Sequence, residues 1–395
     1  MSSIFPAVSG PLYGVLTASL VIVVFATVTT VFWALGIILW LRQKLTPNGA
    51  QPSLSIIVAG RNEEHYVVRC LSALTALDYP SGKLELIFVD DHSTDRTRAL
   101  ADAMSLEHPG LLSVIGAPEC PREVGPKKNA LAAGISRARG EILLFTDADC
   151  VVKPGWARAM VSQYDQTTGA VTGPVFPPLG RNAGTFLVRL ERALISYSSA
   201  SAIGWGHPAS ASGGNFSYRR EAFDRLGGIA HSQAASGDDD LMAQAIARDG
   251  WAVRYACGPD TVVEHLRLPT MRQELNATIR HQSTTKYYPA GWRIIYAATL
   301  AANILLFAAG FVSWVFPVLL PLLYGGVIVR VLIEGLIARA FCARYDVRLS
   351  LADILVAELF LPFYLMARAV LSVFPSFSWH TRTHRTDAAA SEPSP

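Results

Sequence analysis

The residues best suited to chemistry in this chain are acids gathered in short, separate runs. Asp147-Ala148-Asp149 follows the apolar stretch Ile142-Leu143-Leu144-Phe145-Thr146. Two carboxylates two residues apart, where a chain leaves a sheet, can turn together towards one hard cation. Mg2+ is commonly held by one or two carboxylates plus substrate phosphates. A lone Asp-x-Asp is also an ordinary solvated turn. What argues against that reading is a second acidic pair, Asp90-Asp91, closing another apolar run, Leu84–Val89. These two aspartates are available to hydrogen-bond a base or ribose, while Ser93 or Thr94 is expected to cap the helix opening at Arg96. Ser236-Gly237-Asp238-Asp239-Asp240 opens a third element. Acids at a helix start suit the macrodipole, but three exceed what it asks for, and one can act as a general base if a substrate hydroxyl comes within reach. Lys127-Lys128 precedes an Ala-rich helical stretch. A lysine there opposes the dipole unless an anion binds; a surface lysine pair is the plainer alternative.

The elements that must position these groups are legible between Gln51 and about Pro289. Leu54–Ala59 reads as a buried strand ending in Gly60-Arg61-Asn62-Glu63-Glu64, and Val67, Cys70, Leu71, Leu74 and Leu77 follow at helical spacing. Strands alternating with helices imply βαβ units and a mostly parallel sheet, whose ligands bind beyond the carboxyl ends of the strands. Three strands end in Glu63/Glu64, Asp90/Asp91 and Asp147/Asp149. A shared edge lined with carboxylates reads as a site.

Only 16% of the 395 residues are charged and 51% are hydrophobic, too apolar for an ordinary soluble protein. The net charge of +3 gives no sign of a nucleic-acid partner, and the five cysteines include no CxxC pair, so neither a zinc site nor a disulfide framework is indicated. The excess is at the ends. Leu12 to Leu41 holds no charge and is long enough to span a bilayer, with the first positives, Arg42 and Lys44, behind it. That distribution predicts a retained anchor, with the N-terminus outside and the next domain cytoplasmic. A second block, from about Trp292 to Phe341, has room for two spans with a turn near Pro317, and Arg339, Arg344 and Arg348 follow. Leu351–Phe374 carries Glu358, Pro362 and Arg368 and is read as an interfacial or re-entrant helix rather than a span. The expected organisation is an anchor over 1–50, a catalytic domain over 51–290, two membrane helices over 291–342, and a C-terminal membrane-associated segment and tail over 343–395.

Taken in order, Ser55-Ile-Ile-Val-Ala-Gly-Arg-Asn-Glu-Glu, Val89-Asp-Asp-His-Ser-Thr-Asp-Arg-Thr, Lys127-Lys-Asn-Ala-Leu, Thr146-Asp-Ala-Asp and Ser212-Gly-Gly-Asn-Phe-Ser-Tyr-Arg-Arg resemble the family 2 glycosyltransferases, across roughly residues 53–288. The resemblance implies an α/β GT-A fold, a Rossmann-like nucleotide-diphospho-sugar transferase domain flanked by transmembrane helices. It also implies inverting transfer from a UDP- or GDP-sugar. Ala59, Glu63, Asp90 and Asp91 would then hold the nucleoside, Lys127 the donor phosphates, and Gly213, Gly214 and Asn215 the sugar. Asp147 and Asp149 would hold Mg2+ or Mn2+ on the diphosphate. The family's Glu-Asp base pair maps onto Asp238-Asp239, with Asp239 the expected base, although Asp240 adds a third acid. His265 is either an extra metal or phosphate contact or a structural histidine.

One departure bears on the product. Processive members carry a Gln-x-x-Arg-Trp box, whereas the corresponding stretch here is Arg280-His281-Gln282-Ser283-Thr284-Thr285-Lys286, without the tryptophan. Arg280, His281 and Gln282 are therefore expected on the acceptor or phosphate side of an enzyme that adds one sugar. The expected acceptor is a lipid (a polyprenyl phosphate, a glycolipid or a carotenoid) at the cytoplasmic face of the cell inner membrane. A processive polysaccharide synthase is the alternative, and a catalytically inactive sugar-nucleotide-binding membrane protein comes next. A transporter fits poorly, since well over half the chain is the soluble-looking domain. A nucleotidyltransferase would want a Gly-rich phosphate loop where the chain has Gly60-Arg61-Asn62-Glu63.

Overall fold

The computed structural model describes residues 10–43, 51–120, 125–177, 183–228, 238–267, 284–371, 376–379 and 382–385. Helix α1 (Gly10–Leu41) precedes an alternation of β1 (Leu54–Gly60), α2 (Val67–Thr75), β2 (Leu84–Asp90), α3 (Thr97–Glu107), β3 (Leu112–Gly116), α4 (Pro126–Arg137) and β4 (Ile142–Asp147). Then come β5 (Cys150–Val152), α5 (Trp156–Val161), β6 (Thr168–Thr172), β7 (Val175–Phe176), α6 (Ala183–Gly204), β8 (Phe216–Arg219), α7 (Arg220–Arg225), α8 (Asp238–Arg248), β9 (Ala252–Tyr255) and β10 (Val263–His265). Helices α9 (Ala290–Val315), α10 (Leu320–Ala343) and α11 (Leu351–Leu371) follow.

Seven strands form one sheet in the order β3-β2-β1-β4-β8-β6-β9. Its neighbours pair in parallel except along β8, which is antiparallel to both β4 and β6. The central strands are buried on both faces, which is why their sequences are nearly continuous apolar runs. Ile57, Val89, Leu143 and Phe145 face Ala130 and Ile135 of α4, and Ile56, Val58, Phe88 and Leu144 face Val67, Cys70, Leu71 and Leu74 of α2. The chain leaves β1 for β2 on one side and returns as β4 on the other. That reversal opens the crevice between β1 and β4 where such sheets bind ligands. In register, Gly60 sits opposite Asp90 and Ala59 opposite Asp147, so the expected acidic ends do share one edge. A small second sheet, β5-β10-β7, lies beyond β4, with His265 paired to Cys150.

Among the described residues, three helices are long and apolar enough to cross a membrane: 12–41, 290–315 and 317–343. Their outward faces carry large apolar side chains such as Val21, Trp314 and Leu336. They are not a loose tether. Ile37 and Trp40 of α1 and Phe341 and Cys342 of α10 belong to the same apolar cluster as the sheet and α4. Trp40 Nε1 donates to the Tyr255 carbonyl, and Ser201 Oγ of α6 to the Trp33 carbonyl. Gly36 and Gly204 let α1 and α6 meet backbone to backbone; a methyl on Gly204 would collide with the Gly36 carbonyl oxygen. Within the bundle, Glu334 accepts from Thr30 Oγ1 (2.6 Å) and Arg330 Nε (3.0 Å), pairing polar groups that would be costly alone in lipid. Residues 351–371 form one unbroken helix against both neighbours, with Phe363 edge-on to Phe307 and Ile354 beside Gly335.

Candidate functional site

The β1 and β2 ends are knitted together before any ligand is considered. Asn62, at φ 56°, accepts from Thr94 N through its side chain (2.8 Å) and donates its own amide to Ser93 Oγ (3.1 Å). Glu63 N donates to Thr97 Oγ1 (2.7 Å). Ser93 and Thr94 therefore do not cap α3, contrary to the sequence expectation. Asp95 takes the Thr97 amide instead (2.9 Å), because the hydroxyls are occupied with the β1–α2 loop. Asp90 and Asp91 are buried, and each keeps one carboxylate oxygen without a partner among the described residues. Buried acceptors seldom stay orphaned, so this edge suits a ligand offering ribose hydroxyls or base N–H groups. Ala59 lies partly open beside them.

Beyond the β4 end the two aspartates part company. Asp147 receives Lys127 Nζ at 2.5 Å and lies against Gly214. Asp149 faces His265 Nε2 and Arg267 Nε, each at 3.4 Å. Asp147 and Asp149 thus turn to different partners, Lys127 on one side and His265 with Arg267 on the other. Strand β4 ends at Asp147, and by Cys150 the chain has entered the second sheet, so the turn swings Asp149 towards β10. The group that can share an ion is Asp149, Cys150 and His265, whose ligand atoms lie within 4.8 Å of one another. Burial pushes the Cys150 thiol well up, with Asp147 and Asp149 adding to the effect, so the carboxylate and the imidazole are the donors that need lose no proton to bind an ion. His265 Nδ1 lies 3.1 Å from the Arg267 carbonyl, which can only accept, so Nδ1 is the donor there and Nε2 is the ring atom turned towards Asp149. Two lone-pair donors so close fit a shared divalent cation.

Arg267 closes this side. One amino group gives Glu63 Oε2 a 2.6 Å bond, and the guanidinium lies over the Tyr66 ring. Burial raises the Glu63 carboxyl to about 7, with Asp149's charge adding to it and Arg267 opposing. Glu63 thus sits between the Asp90/Asp91 edge and the Asp149 cluster.

On the opposite wall, Gly213 and Gly214 form a 3-10 turn leading into β8. A methyl on Gly213 would stand 3.0 Å from Asp239 Oδ2 and 3.7 Å from Lys127 Nζ; on Gly214 it would stand 3.0 Å from Asp147 Oδ2. Small residues here leave Lys127, Asp147 and Asp239 around one gap. Burial raises the Asp239 carboxyl, against the lowering pull of Lys127. Asp238 begins α8, and only its backbone is described. Asp240 is buried, and both its oxygens are engaged, by Ala211 N and Tyr288 Oη. Asn215 does not border this gap through its side chain, as had been expected. It is wholly buried, donating to the Pro174 and Thr261 carbonyls and accepting from Trp156 Nε1. Arg280, His281 and Gln282 lie outside the described residues. Arg267 escaped the sequence reading, and His265, raised there as an extra metal or phosphate contact, is found paired with Asp149. The alternating run Val263-Glu264-His265 is the only local hint, and it says nothing of its partner strand.

The description "Glycosyl transferase family 2" matches residues 55–227, and "Glycosyl transferase family group 2" matches 142–369. Among curated relatives, a beta-monoglucosyldiacylglycerol synthase from Synechocystis sp. is 32% identical over 197 residues, 48% of this chain and 39% of that protein. The probable glycosyltransferase YdaM from Bacillus subtilis is 26% identical over 208 residues, 52% of this chain and 49% of its own length. The chain thus spans about two-fifths to half the length of these relatives. The solved mannosyltransferase PcManGT from Pyrobaculum calidifontis, in complex with GDP-Man and Mn2+, aligns over 91% of this chain and 99% of its own. It does so at 21% identity with a TM-score of 0.57, a likeness of fold.

Proposed function

The chain belongs to the family 2 glycosyltransferases, and from that premise we propose that it moves a single sugar, with inversion, from a nucleotide-diphospho-sugar to a lipid acceptor at the cytoplasmic face of a membrane. The observation that carries this reading is one gap, at the carboxyl edge of β1 and β4, ringed by Lys127, Asp147, Gly213, Gly214 and Asp239 with the Asp149–His265 pair alongside. Asp90 and Asp91, with Ala59 and Glu63, take the nucleoside. Lys127, already turned towards Asp147, neutralises donor phosphate.

Asp149 and His265 would hold a divalent ion, which when bound offsets charge on the departing diphosphate. A mixed carboxylate and imidazole set suits Mn2+ at least as well as Mg2+, which favours oxygen alone. Asp239, with its proton affinity raised by burial, accepts the proton of the acceptor hydroxyl. The hydroxyl oxygen bonds to the anomeric carbon as the bond to the diphosphate breaks, on the opposite face of the sugar. The acceptor is assigned to the lipid class because the domain's core continues into α1 and α10, which keeps the site at a bilayer surface. The glycolipid-synthase relative and the absence of a Gln-x-x-Arg-Trp box support the same reading. Arg280, His281 and Gln282 would flank the acceptor, and Arg42, Arg339, Arg344 and Arg348 favour a cytoplasmic domain.

The test is to incubate membranes containing the protein with radiolabelled UDP- and GDP-sugars, extract the lipids and size the products. Discrete one-sugar lipids that require a divalent ion and vanish in Asp149→Ala are expected. Long labelled polymer would favour the processive alternative, and near-normal turnover in Asp149→Ala would remove the metal assignment.

A further inference from the structure

The third acid of the Asp238-Asp239-Asp240 run has no part in the chemistry above, yet both its carboxylate oxygens are engaged. Asp240 is buried, accepting from Ala211 N at 2.7 Å through one oxygen and from Tyr288 Oη at 2.5 Å through the other. Tyr288 is itself buried and stands two residues before α9, the first apolar helix after the catalytic domain. Ala211 stands two residues before Gly213, the residue packed on the Asp239 carboxylate. One turn further along α8, Gln244 Nε2 donates to the Ala209 carbonyl (2.7 Å), doubling the tie between α8 and this segment. Ser212 N is anchored in turn to Thr172 Oγ1 of β6 (2.9 Å).

Resting on the reading of Asp239 as base, we propose that Asp240 and Tyr288 are positioning residues: their bond locks the start of α8, and with it Asp239, to the root of membrane helix α9. A carboxylate has two faces, and here one is spent on the segment bordering the sugar and the other on the element entering the membrane. The base therefore stands at a fixed place relative to both the donor gap and the membrane-entering helix. Around the root of α9, Trp292 and Tyr296 pack on Trp33 of α1, so the lock is seated on the membrane helices rather than on a loop.

The experiment compares Tyr288→Phe, Asp240→Asn and the double variant in the full-length protein reconstituted in lipid. For each, kcat is measured together with donor Kd and hydrogen exchange of peptides covering 209–215 and 238–244. Each single variant should lower kcat about tenfold, leave donor Kd within twofold, and speed exchange in those two peptides while the β1–β4 peptides stay unchanged. The double variant should be no worse than the more damaged single one, because both changes act on the same Asp240–Tyr288 contact. Unchanged kcat and exchange in Tyr288→Phe would overturn the proposal, as would a general loss of protection with weakened donor binding. If Asp239→Asn proves fully active, the base reading fails by itself, and the exchange pattern still decides whether the lock exists.

Discussion

Removing the charge of Lys127 tests the electrostatics of the site most directly. Lys127 Nζ and Asp239 Oδ2 lie 3.7 and 3.0 Å from the point a Gly213 methyl would occupy, so they stand no more than about 6.7 Å apart. At an effective dielectric constant of about 20, unit charges at that separation attract by about 2.5 kcal/mol. The Lys127 side chain is partly exposed, and solvent screening reduces that figure. Lys127 favours the ionised carboxylate, against the burial that disfavours it. Lys127→Met should therefore raise the Asp239 pKa further. The acidic limb of the kcat/KM profile, which reports the free enzyme, should move to higher pH. Lys127→Arg, keeping the charge, should leave the limb near its original position. The same substitution will weaken donor binding through the lost phosphate contact, but that lowers the whole curve without shifting its limb. A limb unmoved within about 0.3 unit, or moved to lower pH, would refute the arrangement of Lys127 beside the base.

Asp239→Asn should leave donor affinity largely intact while lowering kcat at least ~10²-fold, the ordinary scale for a general base; the same result in Asp238→Asn, with Asp239→Asn active, would move the role by one residue. Asn215→Ala should destabilise by about 3–4 kcal/mol, since Trp156 Nε1 and the Pro174 and Thr261 carbonyls all lose a buried partner, and a thermal midpoint measured in detergent reads it. Asp165 opposes burial with hydrogen bonds from Thr167 and Thr168 and the charge of Arg254, which hold its carboxyl well below the usual range. Its stabilisation is thus complete above the unfolded value near 3.8 and drains away as pH falls below it. Asp165→Asn should cost about 2–3 kcal/mol at pH 7 and flatten that acid limb in a thermal-stability series.

Much of this protein is written locally. Apolar runs six or seven residues long, each closed by acids, already specify buried parallel strands with a polar carboxyl edge, because side-chain alternation and strand length need no distant partner to be read. The unbroken apolar stretches specify membrane-length helices for the same reason. What the sequence cannot express is direction after a strand ends. Asp147 and Asp149 look equivalent two residues apart, yet a change of sheet between them sends one to Lys127 and the other to His265, and that turn is set by β5 pairing with β10 far along the chain. Asn215 reads as a sugar-side residue until three distant groups are seen to consume its hydrogen bonds. Asp240 reads as a spare acid until Tyr288 is found against it. In each case the decisive partner comes from a remote segment, and only packing the whole chain brings it within hydrogen-bond reach.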